Sequence, residues 1–143
     1  MVVNSGINLS GEYIVELLDA KTCKVKESRY AKNLITNSGL NALLDGKTFY
    51  SIAIGDGGTA PEYSDTGMQS LLYEATTNTN LPYTSHTENP SYSTSFVQIN
   101  EGYGTGTVRE LGAFLSYGAG SGKALWSRTV LDSPIVKGAD DVL

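Results

Sequence analysis

The sequence predicts a mainly β domain: an antiparallel β-sandwich, immunoglobulin-like or jelly-roll-like, with one short helix. Three observations predict it. About seven or eight short β-prone segments are separated by turn signals every 8–12 residues or so, the spacing of a sandwich. Only one segment has helical periodicity. Glycine accounts for 16 of 143 residues, above the usual share of about 7%, and so supplies many turns. Closure of the same strands into a barrel is the alternative. A chain of 143 residues and 15.2 kDa fits one domain with a sizeable core. The polar, Gly-bearing residues 1–11 read as an N-terminal arm or linker, and residues 12–143 as the domain.

The first predicted element is a hairpin. Tyr13, Val15 and Leu17 share one face at period two, a polar turn holds Asp19 to Cys23, and Val25 to Tyr30 returns. Thr36 to Leu44 is the helical segment. Leu40, Leu43 and Leu44 fall at i, i+3 and i+4 and should line its buried face. Thr36, Asn37 or Ser38 can cap it, and Gly46 can close it in the left-handed conformation. With so few turns, it must pack on a sheet. Phe49 to Ile54 has apolar residues on both faces, as a central strand does.

The Gly55–Gly58 turn leads on to a short strand, Leu71 to Ala75. Residues 76–91, rich in Thr, Asn, Ser and Pro, read as a surface loop long enough to suggest a contact role. Tyr92 to Ile99 reads as a strand and Asn100 to Gly106 as a turn. Thr107 to Tyr117 and Lys123 to Leu131 form the clearest hairpin, and Pro134 begins a separate extended stretch.

Charged residues make up only 17% of the chain, so its surface must be largely Ser, Thr, Asn, Tyr and Gly. The net charge is −5. The one basic cluster, Lys21, Lys24, Lys26, Arg29 and Lys32, is interrupted by Glu27 and lies on the hairpin. Nucleic acid is therefore not an expected partner, because binding needs clustered cations to displace counterions. The single cysteine, Cys23, excludes an intrachain disulfide. The N-terminus has neither the basic region nor the apolar run of a signal peptide. No stretch approaches the roughly 20 apolar residues of a membrane helix. The expectation is a protein made in a cytoplasm, with no membrane insertion.

No residue is assigned a catalytic, cofactor-binding or metal-ligating role. His86, the only histidine, lies in the long polar loop, far from the rigid support a catalytic base needs. Asp56, Glu62 and Asp65 flank a Gly-rich turn where a weak calcium site could form, but their spacing fails the EF-hand pattern. Gly102 to Gly106 imitates a dinucleotide fingerprint, yet a strand follows it rather than a helix. Glu110 has no second carboxylate to make a glycosidase pair. It reads as an acceptor of backbone hydrogen bonds or a partner of Arg109 or Arg128. Tyr63, Tyr83, Tyr92 and Tyr103 lie near loops and could stack on sugars, although Tyr is equally a sheet and interface residue.

Four segments occur in order along the chain. They are Asn33-Leu34-Ile35-Thr36-Asn37-Ser38-Gly39-Leu40; Ala53-Ile54-Gly55-Asp56-Gly57-Gly58-Thr59-Ala60-Pro61 with Asp65-Thr66; Glu110-Leu111-Gly112-Ala113-Phe114; and Leu125-Trp126-Ser127-Arg128. Together they resemble a family of bacteriophage virion proteins, comprising tail, tail-fibre and collar components. In that family an N-L-I/V-T-N-x-G-L segment is followed by A/V-I/V-G-x-G-x-T-A-P with a nearby D-T. An E-I/L/V-G-x-F strand and one ending L-W/F-S-R come after. The likeness covers roughly residues 12–138.

The resemblance implies a non-enzymatic virion component, made in the host bacterial cytoplasm, with no catalytic positions to carry over. The partners it implies are further copies of the chain and other tail or head–tail connector proteins, with a host surface glycan as an additional candidate. A capsid decoration protein and a carbohydrate-binding receptor-recognition module are the alternatives. Family members end on a long alternating strand after a P-I-x-K turn. Here Pro134-Ile135-Val136-Lys137 is followed by only six residues. Either the last strand is short, or the chain is one end of a longer fibre and anchors an oligomer.

Overall fold

Period-two burial builds the first hairpin as expected. Strand β1 (Glu12–Asp19) buries Val15 and Leu17 and turns Glu12, Ile14 and Glu16 outward. It pairs antiparallel with β2 (Val25–Lys32). The Asp19 carboxylate closes the turn by accepting the amides of Thr22 at 2.8 Å and Lys21 at 3.1 Å. Cys23 is exposed there, with a left-handed φ of 55°. The computed structural model describes residues 9–76, 96–118 and 120–143. Expectations for His86, Tyr83, Tyr92, residues 1–8 and most of the long loop lie outside the described residues.

After the hairpin come β3 (Leu34–Ile35), α1 (Asn37–Leu44), β4 (Thr48–Gly55) and β5 (Leu71–Thr76). The chain then runs through β6 (Gly106–Ser116), β7 (Ala124–Lys137) and β8 (Asp141–Val142). Two antiparallel sheets result, ordered β2-β1-β8 and β3-β7-β6-β4-β5. They face each other across one core, in which Val15 and Leu17 meet Ile54, Val108, Leu111, Leu131 and Ile135. Each such side chain contributes about 1.5–3 kcal/mol on burial. β2 runs through Asn33 into β3 and so changes sheets. Beside that crossing, Thr129 Oγ1 donates to Lys32 O at 2.7 Å and Arg29 Nε to Ser133 O at 3.3 Å. The sandwich is stitched at this corner.

Three expectations are corrected. Pro134 does not begin a separate stretch but lies inside the 14-residue β7. It is tolerated because the ladder with β6 jumps from Glu110↔Val130 to Val108↔Ile135, leaving Pro134 in a bulge where no donor is required. Phe96 to Ile99, the described part of the segment expected as a strand, carries no strand. Ile99 instead exchanges two backbone hydrogen bonds with Leu143, at 2.7 and 3.0 Å, which covers the end of β8.

The third correction concerns the helix. Its buried residues are Gly39 and Ala42, whereas Leu40, Leu43 and Leu44 are 36%, 40% and 85% exposed. The cause is the cap. Thr36 Oγ1 accepts the Gly39 amide at 3.0 Å and donates to Leu125 O at 2.5 Å, and Ser38 Oγ donates to Leu125 O at 3.1 Å. These bonds draw the first turn so close to β7 that at Gly39 no Cβ fits against the Trp126 backbone. Gly46, at φ 81°, closes the helix as expected. Thr36→Ala should cost about 1–2 kcal/mol, since it removes the cap and a buried bond to β7. A chemical denaturation curve shifted to a lower midpoint with unchanged slope would show this.

Candidate functional site

The outer face of the five-stranded sheet is roofed by α1 and by the 56–70 loop. Beneath the roof, Ala53, Phe114, Leu125 and Met68 form a second apolar cluster. Next to it lies the most charged interior of the described structure. Glu110 on β6 is completely buried and Arg128 on β7 is 2% exposed. Both project from the sheet toward the loop.

Arg128 uses its whole donor fork. Its Nε donates to Glu110 Oε2 at 2.7 Å, one terminal nitrogen to Asp65 Oδ2 at 2.9 Å, and the other to Thr59 O at 2.9 Å. Burial alone would push the guanidinium down, but the bonds to Glu110 and Asp65 outweigh it and hold the pKa above its ordinary value. Glu110 is equally saturated. Its carboxylate also accepts the amides of Gln69 at 3.2 Å and Ser70 at 2.7 Å. Asp65 Oδ2 accepts the Glu62 amide at 2.9 Å as well. Thr59 and Gln69 bind each other through the Thr59 amide, at 2.8 Å, and through their side chains.

The glycines of this region are set by the same clasp. A Cβ on Gly55 would collide with Ser70 O and lie 2.6 Å from Glu110 Oε1. One on Gly57 would lie 2.6 Å from Glu110 Oε1, and one on Gly112 would collide with Met68 Sδ. The backbone of the loop thus approaches the buried carboxylate more closely than any side chain would permit.

The four sequence segments singled out above therefore converge in space. The first supplies the Thr36 cap and the Gly39 approach to β7; Asn33 Nδ2 also donates to Ser127 Oγ at 2.9 Å, which Tyr13 OH meets at 2.8 Å. The second supplies the roof, the third Glu110 and its Met68 seat at Gly112, and the fourth Arg128. Of the two partners expected for Glu110, Arg128 is the one found, while Arg109 is exposed. Asp56, Glu62 and Asp65 are not gathered around a common centre. Asp65 is held by Arg128, and Asp56 and Glu62 are exposed. Among the described residues, no group of three or more His, Cys, Asp or Glu could hold a metal. None of their helices is long and apolar enough to cross a membrane. Tyr63 and Tyr103 are exposed, and Tyr103 leans on Tyr73 with ring centres 5.5 Å apart.

Sequence reasoning missed a second buried cation. Lys137 is 1% exposed, and its ammonium donates to Asp141 O at 2.6 Å and Asn100 O at 3.1 Å. Burial pushes its pKa down. The signal was present: Lys137 follows buried Ile135 at period two, so it had to point inward. It ties the last turn to the 99–102 segment. In the same turn Asp141 accepts Lys26 Nζ at 2.7 Å and the Gly138 amide at 2.8 Å. The Lys26 contact chiefly holds the Asp141 pKa below the ordinary carboxylate value.

A lowered folded-state pKa stabilises the fold above the unfolded value of about 4, and that stability is lost as pH falls through the folded value. Melting temperature should therefore fall in that acid range, and Asp141→Asn should flatten part of the fall. A variant with an unchanged acid profile would remove Asp141 from this account.

No protein-family model matches the chain, and no curated protein or solved structure matches it.

Proposed function

We propose that this protein is a non-enzymatic structural component of a bacteriophage virion. It serves as a tail, tail-fibre-anchoring or collar protein that assembles with itself and with neighbouring virion proteins. One observation carries the reading. The four segments that resemble the virion family lie together, and the buried or half-buried charges they carry, Glu110, Asp65 and Arg128, are spent on one another. Glu110, the carboxylate best shielded for acid–base chemistry, has both oxygens occupied by Arg128 and two backbone amides. A general acid or base needs to lie within reach of substrate, and this carboxylate is completely buried. What the molecule offers outward is a low-charge surface with exposed Tyr and Leu, suited to burial against other proteins.

The test is immunogold electron microscopy of purified phage particles with antibody to this chain. Label at the tail or collar is expected. Label over the capsid would make it a decoration protein. Absence from particles, with the protein present only in the lysate, would overturn the reading.

A further inference from the structure

Strand β8 pairs with only the last two residues of β1, Leu18 and Asp19. Ahead of them the same side of β1 is an open edge. The ladder bonds fix which groups face it. Gly11 O accepts the Asn33 amide at 3.1 Å and the Asp19 amide donates to Lys24 O at 3.0 Å, so odd-numbered residues turn toward β2. The Ala20 amide, on the other side, donates to Asp140 O at 3.1 Å. By the alternation of an antiparallel ladder, Glu12, Ile14 and Glu16 therefore direct their amides and carbonyls away from β2. Among the described residues, none of these backbone groups has a partner. The opposite edge of the sheet is closed by contrast. There the carbonyls of Ser28 and Lys32 accept Arg29 Nη1 at 2.9 Å and Thr129 Oγ1 at 2.7 Å.

We propose that this edge receives an extended segment of another protein, which adds to β1 as an antiparallel strand in line with β8. A row of unpaired backbone donors and acceptors is a template for such a strand. The side chains select the occupant. On the outer face Ile14, 69% exposed, stands between Glu12 and Glu16. Glu12 already accepts the Tyr30 hydroxyl and lies opposite Lys32. Glu16 has no such partner. It lies opposite Ser28, and Lys26, two residues along β2, is held by Asp141 at 2.7 Å. The position facing Glu16 on an added strand therefore favours Lys or Arg, and the one facing Ile14 favours an apolar β-branched residue. A second copy of β1 fails this requirement. Centred on Ile14, the pairing that covers the whole open stretch, it sets Glu16 of each copy against the other copy's Glu12. The same carboxylates thus keep identical edges apart and leave this one to a basic strand. The inference rests on the virion reading only for its setting, in which the strand comes from a neighbouring virion protein.

Amide exchange and a peptide titration, both followed by NMR on the full chain, test this. In the free protein the Tyr13, Val15 and Leu17 amides should be protected, and the Ile14 and Glu16 amides should exchange rapidly. The probe is the acetylated and amidated peptide Lys-Thr-Val-Thr-Gln. It should slow exchange at Ile14 and Glu16 and shift their resonances, with a Kd on the order of millimolar. Ile14→Pro removes a donor that the β1–β2 ladder does not use, so it should abolish binding in a chain that still folds. If that variant fails to fold, Glu16→Lys decides alone. It should weaken the peptide about threefold to tenfold and favour Glu-Thr-Val-Thr-Gln in its place. Four results would overturn the proposal. They are Ile14 and Glu16 amides already protected in the free chain, protection that rises with protein concentration alone and so makes a second copy the occupant, a peptide that binds elsewhere or not at all, and binding indifferent to Glu16→Lys. The virion reading fails separately. Particles that no antibody labels would sink that reading alone, and labelled particles with an edge that takes no peptide would sink this site alone.

Discussion

Replacing Arg128 with methionine is expected to cost about 3–5 kcal/mol, the range for removing one partner of a buried ion pair. At this chain length that lowers the melting temperature by roughly 10–20 °C. The loss does not come from the attraction alone. Glu110 would remain completely buried, keeping only the Gln69 and Ser70 amides. Asp65 and Thr59 would lose the donors that hold the roof of the sheet down. Loop 56–70 should loosen with the mutation, so proteolysis should cut there first. Arg128→Lys should not rescue, because one ammonium cannot satisfy three acceptors arranged around a planar fork. Thermal melting of the two variants, with limited proteolysis, checks both points. A methionine variant within about 0.5 kcal/mol of wild type would behave as an ordinary surface substitution and would contradict the clasp.

Gly39→Ala provides the second large effect, and its sign is the informative part. In an exposed helix, alanine is favoured over glycine by about 1 kcal/mol. Here a Cβ would lie 2.5 Å from Trp126 O, 2.6 Å from Trp126 Cα and 2.9 Å from Leu125 O. All three are backbone atoms of β7, so the helix must lift. Lifting breaks the Thr36 and Ser38 bonds to Leu125 O. Net destabilisation of about 2 kcal/mol or more is expected. Gly112→Ala is the control. Its Cβ would run into Met68 Sδ, but a thioether on three rotatable bonds can swing aside. That variant should cost less, and Met68→Ala should rescue it. Urea denaturation of the set decides the matter, and a stabilised Gly39→Ala would show that the helix does not sit this close to the sheet.

Strand periodicity was legible wherever one face is buried and the other wet, as in β1. It was less informative where both faces are covered. Glu110 to Ser116 is buried throughout, so alternation could not say which residues face the core and which face the roof. The helix was placed correctly and faced wrongly. Leucine spacing described a real stripe, but the side that packs was chosen by two hydroxyls, Thr36 and Ser38, reaching a carbonyl on a strand almost 90 residues away. Such long-range bonds leave no local periodicity. The clasp was half legible. Arg128 is one of the two arginines that the sequence offers Glu110 as partner, while Asp65 reads as a possible calcium ligand beside Asp56 and Glu62. Its engagement by Arg128 depends on how the Gly-rich turn folds the loop back over β6. The glycines of that turn then acquire a second reason to be there, since Gly55 and Gly57 are where the buried carboxylate touches backbone.

The most direct test of the central claim, that these segments form one structural clasp, is a double-mutant cycle by chemical denaturation on Glu110→Gln, Arg128→Met and the double variant. The account predicts that each single variant is strongly destabilised. The double should be less destabilised than their sum, with a coupling energy of about 1–3 kcal/mol. In the double variant the introduced carboxamide oxygen could still accept one of the two loop amides, and no unpaired charge would remain on β6. Additivity within about 0.5 kcal/mol would mean that the two residues act independently, and would contradict the account.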